Sequence, residues 1–245
     1  MDLAQNFEAL FSIASLVSLI TLTILEIVLG IDNIIFISIV AGKLPKNKQG
    51  KARTIGLMLA LIMRVGLLFS ITWVIGLKEP LFAVFEFEAT ARDLILFAGG
   101  VFLLYKTTIE IHNKIEGGDE VIVDVTLKKA ALRAAIFQIV LIDIVFSFDS
   151  ILTAVGLVDN VLVMIIAVVI AIIVMMLFSG AVSNFVNNHP TVKMLALAFL
   201  LMIGILLIAD AFHFHVPKGY VYFSMAFSLL VEGLNMRMRK KANMK

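Results

Sequence analysis

Four carboxylates stand inside apolar stretches of this chain at matched spacing. Glu26 and Asp32 lie in Ile24-Leu25-Glu26-Ile27-Val28-Leu29-Gly30-Ile31-Asp32-Asn33. Asp143 and Asp149 lie in Leu141-Ile142-Asp143-Ile144-Val145-Phe146-Ser147-Phe148-Asp149-Ser150, 117 positions further on. At that offset Gly30 falls on Ser147 and Asn33 on Ser150, so small and neutral-oxygen positions match as well as acids. A carboxylate at mid-bilayer costs about 2.5–3.5 kcal/mol on insertion scales, and an intramembrane acid therefore marks function by default. Carboxylates joined by amide and hydroxyl oxygens form a hard ligand set, which suits Mg²⁺, Ca²⁺ or Mn²⁺ better than Cu(I) or Zn²⁺. The candidate metal-binding residues are Glu26, Asp32, Asn33, Asp143, Ser147, Asp149 and Ser150, with Arg64 as a charge partner. Four ionised acids and Arg64 sum to −3; a divalent cation leaves −1, and one proton then brings the cluster to zero. Cation binding and protonation would compete.

Each of these residues also has a structural reading. The acids would then form a buried network between helices, and Asn33, Ser147 and Ser150 would hydrogen-bond across helix contacts. Asp210, His213 and His215 have the composition of a loose metal cluster but read better as polar residues at the interface. Glu232 and Asn235 similarly read as groups that reach the interface from the last apolar span.

The elements that must carry these groups are membrane helices. Hydrophobic residues make up 61% of the 245 positions and charged residues 16%, against about 25% charged in soluble domains. Seven apolar spans lie near 18–41, 54–77, 93–109, 131–156, 161–186, 194–210 and 219–235. The stretch from Leu10 to Gly42 would be about 50 Å long as a helix, against a hydrocarbon core of about 30 Å, so it must tilt, bend or begin along the surface. Most basic residues fall in alternate connections: Lys43, Lys46, Lys48, Lys51 and Arg53; Lys106, Lys114, Lys128, Lys129 and Arg133; Lys193; and the tail from Arg237. Only Lys78, Arg92 and Lys218 fall on the other side. Positive residues favour the cytoplasm, which places the N-terminus outside and the C-terminus inside. Nothing basic precedes the first span, so no cleavable signal peptide is expected. With no cysteine, thiolate ligands and disulfides are excluded.

An offset carrying three spans inverts the second copy. The expected fold is all-α, with seven transmembrane helices in one integral membrane domain over 1–245. Repeat one spans about 10–112, repeat two about 129–215 in inverted topology, and an additional helix about 219–235. In transporters of this build the site lies near mid-membrane, where broken helices of the two halves meet. Residues six apart are about 240° apart around a helix, so Glu26 and Asp32 face different ways while Glu26 and Asn33 share a face. Either each acid has its own partner, or helices one and four are broken near Gly30 and Ser147.

Glu26 through Asn33, the following Ile34-Ile35-Phe36-Ile37-Ser38 and the stretch Asp143–Ser150 strongly resemble the TerC family of integral membrane proteins. Lys106-Thr107-Thr108-Ile109-Glu110-Ile111-His112 and His213-Phe214-His215-Val216-Pro217-Lys218-Gly219-Tyr220 resemble it too, and the likeness runs from about Leu10 to Asn235. That family is named for tellurite resistance, is grouped with exporters of the LysE type, and has bacterial members that export manganese. The resemblance implies a multi-pass protein of the bacterial inner membrane that exports Mn²⁺ or a similar ion, with the motif acids at its site. Some relatives append cytosolic regulatory domains; none is expected here beyond Asn235.

The leading expectation is a secondary transporter exporting a divalent cation, Mn²⁺ foremost, with proton coupling. The Gly-x-x-x-x-Gly-Lys nucleotide loop is missing, so the energy must come from a gradient or a partner. Three alternatives compete: an exporter of an amino acid or small organic cation, a scaffold for membrane-protein insertion, and an intramembrane aspartyl hydrolase whose acids share a proton. The hydrolase has no need of matched acids in both halves, so no enzyme activity is expected. The expected partners are bilayer lipid, the cation and protons, with no nucleic acid and no resident cofactor; the oligomeric state is open.

Overall fold

The structure is a computed structural model that describes residues 12–70, 80–84, 87–117, 125–158 and 160–242. The side chains at positions 32, 83, 84, 87, 125–130, 148, 149, 152–157 and 218 lie outside that description. Among the described residues seven helices run in chain order: α1 (Ile13–Gly42), α2 (Lys46–Phe69), α3 (Ala91–Ile115), α4 (Val125–Leu157), α5 (Val161–Asn188), α6 (Pro190–Ala211) and α7 (Lys218–Ala242). Between α2 and α3 lies an antiparallel hairpin, β1 (Pro80–Val84) and β2 (Phe87–Thr90), which pairs Val84 with Phe87 and Ala83 with Glu88. Among the described residues, α1, α2, α3, α5 and α6 are each long and apolar enough to cross a membrane. This is an all-α membrane protein.

Local chemistry sets the helix ends. Ser12 caps α1, its hydroxyl accepting from the Ser15 N–H at 3.1 Å. The α1–α2 turn is closed by Gln49, whose Nε2 donates to the carbonyls of Gly42 (3.2 Å) and Leu44 (2.9 Å). Those carbonyls would otherwise lack partners at the end of α1. Pro190 occupies the first turn of α6, where its missing N–H costs no bond. Asn160 Oδ1 accepts from Leu162 N at 3.0 Å and starts α5.

One helix boundary differs from the expected span, and one open alternative is decided. The second span, placed at 54–77, has a helix that starts earlier, at Lys46, and is capped by Ser70, whose N–H donates to the Gly66 carbonyl; positions 71–77 of that span lie outside the described residues. Its polar first turn is recruited because Gln49 reaches back to cap α1. Helices one and four are also not broken at the motifs: α1 is continuous through Gly30, and α4 through Ser147. Each position has another use. A Cβ on Gly30 would overlap the Sδ of Met175, so this glycine admits α5 close to α1. The Ser147 hydroxyl binds side chains rather than a freed backbone group.

The chain divides into two compact units. In the first, α4 packs on both α1 and α2, which pack on each other, and α5 completes the group. Along α2 the buried positions Ala52, Gly56, Ala60, Arg64 and Leu68 recur every four residues. This small-residue stripe lets α4 approach, with Ile139 seated over Gly56. The second unit holds α3, α6 and α7. Here a Cβ on Gly100 of α3 would stand 2.8 Å from the Gly204 carbonyl and 3.1 Å from the Ile208 nitrogen of α6. Burial is inverted relative to a soluble protein: Arg64 is 1% and Glu26 2% exposed, while Ile13 is 83% and Leu177 74% exposed. That distribution fits a lipid surround, where an apolar side chain gains nothing by facing inward.

Candidate functional site

The polar centre of the first unit is assembled from three helices. Glu26 and Asn33, seven residues apart on α1, are both buried, as their shared face requires. Asp143, Ser147 and Ser150 recur on α4 at intervals of four and three, and all are buried. From α2, Arg64 enters at the end of the small-residue stripe.

Arg64 links the two acids. Its Nη1 donates to Glu26 Oε2, its Nη2 lies 3.6 Å from Asp143 Oδ1, and its Nε donates to Ser147 Oγ at 2.7 Å. The Ser147 hydroxyl donates to Asp143 Oδ2 at 3.1 Å, and Asn33 Nδ2 donates to Asp143 Oδ1 at 3.0 Å. The two carboxylates and one guanidinium carry a formal net charge of −1. A buried ion pair persists when its remaining lone pairs and protons are also satisfied, and Asn33 and Ser147 supply those bonds. One atom is left over: Asn33 Oδ1 is buried with no partner among the described residues.

Five of the eight residues singled out by sequence meet here: Glu26, Asn33, Asp143, Ser147 and Arg64. Ser150 lies on the same face of α4, but its proton turns back to the Ser147 carbonyl at 3.2 Å. The side chains of Asp32 and Asp149 lie outside the description, although their backbones are helical. Among the described residues, no three His, Asp or Glu side chains are disposed to hold a metal ion. Chemically, the cluster is a set of carboxylate, amide and hydroxyl groups whose two acids are met by an arginine.

A second polar cluster lies in the other unit, at the turn between α6 and α7. His213 Nε2 is 3.1 Å from Asp93 Oδ2, His215 Nδ1 is 3.2 Å from Asp210 Oδ1, and Arg92 Nη1 is 3.7 Å from Asp93 Oδ1. Both carboxylates are buried, while the histidines reach outward. His213 takes a left-handed φ of 64°, and Phe212 meets Phe97 edge-on at 5.9 Å between ring centres. Sequence reasoning grouped three of these five residues, Asp210, His213 and His215, and left out Arg92 and Asp93. The signal of Asp93 was a lone acid in the first turn of an apolar helix, where the helix dipole favours negative charge. Glu232, read as interfacial, accepts from Thr191 Oγ1 at 2.5 Å and so joins α7 to the start of α6.

With the paired motifs on the page, comparison with known proteins decides the family. The description "Integral membrane protein TerC family" matches residues 11–245. The chain belongs to the TerC family. It is 52% identical over 221 residues to the UPF0053 inner membrane protein YgdQ of Escherichia coli K12, covering 90% of this chain and 92% of that protein. It is 50% identical over 224 residues to the UPF0053 inner membrane protein YoaE of the same organism, covering 91% of this chain and 43% of that longer protein. A UPF0053 protein of Buchnera aphidicola is 52% identical over 219 residues, which cover 89% of this chain and 42% of that protein. No solved structure matches the chain.

Proposed function

We propose that this TerC family protein is a secondary transporter that exports a divalent cation, Mn²⁺ foremost, across the bacterial inner membrane through the Glu26–Asp143 cluster, in exchange for protons. One observation carries the reading: matched acids of two sequence motifs, on α1 and α4, converge on one buried guanidinium. Two acids whose only role was packing would not need to occupy equivalent positions in a repeat. The surrounding oxygens of Asn33 and Ser147 are hard donors of the kind that bind Mn²⁺, Mg²⁺ and Ca²⁺. Asp32 and Asp149 would extend the path along the same two helices.

The grouping of helices supports an inverted repeat. Each expected pair of equivalents, α1 with α4, α2 with α5 and α3 with α6, falls within one compact unit. Intertwined repeats produce such a grouping, and the acid motifs then approach from opposite membrane faces. The concentration of basic residues in alternate connections supports an N-terminus outside and a C-terminus in the cytoplasm. The printed names of the relatives, inner membrane proteins, support the location.

The test is transport by purified protein in liposomes, presented with Mn²⁺, Mg²⁺, Ca²⁺ and Zn²⁺ while internal pH is recorded. Mn²⁺ flux with opposite proton flux is expected, and Glu26→Gln or Asp143→Asn should reduce it at least tenfold. Flux no greater than in empty liposomes for every ion, or wild-type flux in both variants, would overturn the reading.

A further inference from the structure

We infer that Arg64 is a tethered counter-cation that trades places with the transported ion. This rests on the cation reading of the same cluster and adds a mechanism to it. One oxygen of each carboxylate faces the guanidinium: Nη1 donates to Glu26 Oε2, and Nη2 lies 3.6 Å from Asp143 Oδ1. A divalent ion cannot take those oxygens with Arg64 in place. With Asp32 and Asp149 protonated, Glu26, Asp143, the guanidinium and a divalent ion would carry +1 in a buried site, whereas the two carboxylates and the ion alone carry zero. The neutral combination is the one that a low-dielectric interior favours.

The oxygens around Arg64 fit such a trade. Asn33 is 3% exposed, and its Oδ1 has no partner among the described residues although its Nδ2 is held by Asp143. A buried acceptor without a donor is unfavourable, and a cation bound beside it would satisfy it. Ser147 accepts from Arg64 Nε, and departure of the guanidinium frees that lone pair for the ion. The released guanidinium needs an acceptor in turn. Thr23 Oγ1, three residues before Glu26 along α1, is buried and also without a described partner. The site therefore has two occupants, one built in and one transported, and Arg64 keeps the acids compensated whenever the ion has left. It also hastens ion release by competing for the same oxygens.

The experiment compares equilibrium Mn²⁺ binding by detergent-solubilised wild type, Arg64→Gln and Arg64→Lys, using titration calorimetry. Glutamine removes the competitor, so Mn²⁺ should bind at least tenfold tighter than to wild type, with slower turnover in liposomes. Lysine keeps the charge but cannot span two carboxylates and a serine. It should fold, compete less well and bind Mn²⁺ roughly threefold tighter than wild type. If the glutamine variant does not fold, the lysine variant decides alone. Affinity equal to or weaker than wild type in either folded variant overturns the counter-cation role while leaving the cation site standing. No Mn²⁺ binding by any of the three proteins overturns both.

Discussion

Glu26→Gln removes one of the two charges that hold Arg64 while keeping the size of the side chain. The guanidinium, 1% exposed, then has one carboxylate, Asp143 at 3.6 Å, and the Ser147 hydroxyl. Removing one partner of a buried ion pair destabilises by about 3–5 kcal/mol, because the other charge stays buried. At roughly 2–4 °C per kcal/mol for a chain of this length, thermal unfolding in mild detergent should fall by about 6–20 °C. The triple variant Glu26→Gln, Arg64→Met, Asp143→Asn removes the whole charge set and keeps an amide oxygen at position 143 for Asn33. Replacing complete buried ion sets is often neutral or stabilising, so the triple variant should recover most of the loss while binding no cation. Circular dichroism melts and Mn²⁺ calorimetry on the same preparations read both effects. A single variant melting within about 2 °C of wild type would refute the reasoning, since 3–5 kcal/mol cannot shift so little. A triple variant as unstable as the single would refute it as well.

Glycine contacts give a graded test of packing. Gly100→Ala meets backbone atoms of α6 and should cost about 1–3 kcal/mol, whereas Gly30→Ala meets only the flexible end of Met175 and should cost less; equal melts would contradict the contrast. Asp32→Asn and Asp149→Asn should each nearly abolish Mn²⁺ flux in liposomes without changing membrane insertion, and wild-type flux in both would remove them from the path. A cysteine placed at Asn47 or Ala242 should be shielded from an impermeant thiol reagent in intact cells, while one at Asn160 should react. Labelling at position 242 would reverse the assigned orientation.

Much of the site was legible because helical geometry acts over short spacing. A spacing of seven from Glu26 to Asn33 predicts one face, and the structure buries both residues. Arg64 was legible as a lone charge inside an apolar span and as a charge partner for the acids; that it continues the stripe Ala52, Gly56, Ala60 emerged only from the packing of α2. What it touches was not, because the second half shows no charge to match it and its partners come from α1 and α4. Breaks at Gly30 and Ser147 were open alternatives in sequence; both positions instead serve contacts with distant residues, Met175 and Arg64. The hairpin at Pro80–Thr90 was hidden by its setting. Phe82, Val84 and Phe87 suit a strand, but they lie between apolar spans that dominate any reading by hydropathy. Asp93 gained its meaning only when the α6–α7 turn brought His213 to it.

The central claim is that a divalent cation takes the oxygens of Glu26 and Asp143. Anomalous diffraction from crystals of the protein grown with Mn²⁺ tests it most directly, since the signal locates the ion regardless of how side chains are fitted. The account predicts a peak between the Glu26 and Asp143 carboxylates, with Asn33 Oδ1 turned toward it and Arg64 withdrawn. A fully loaded crystal with its peak elsewhere, and Arg64 still joining the two acids, would contradict it.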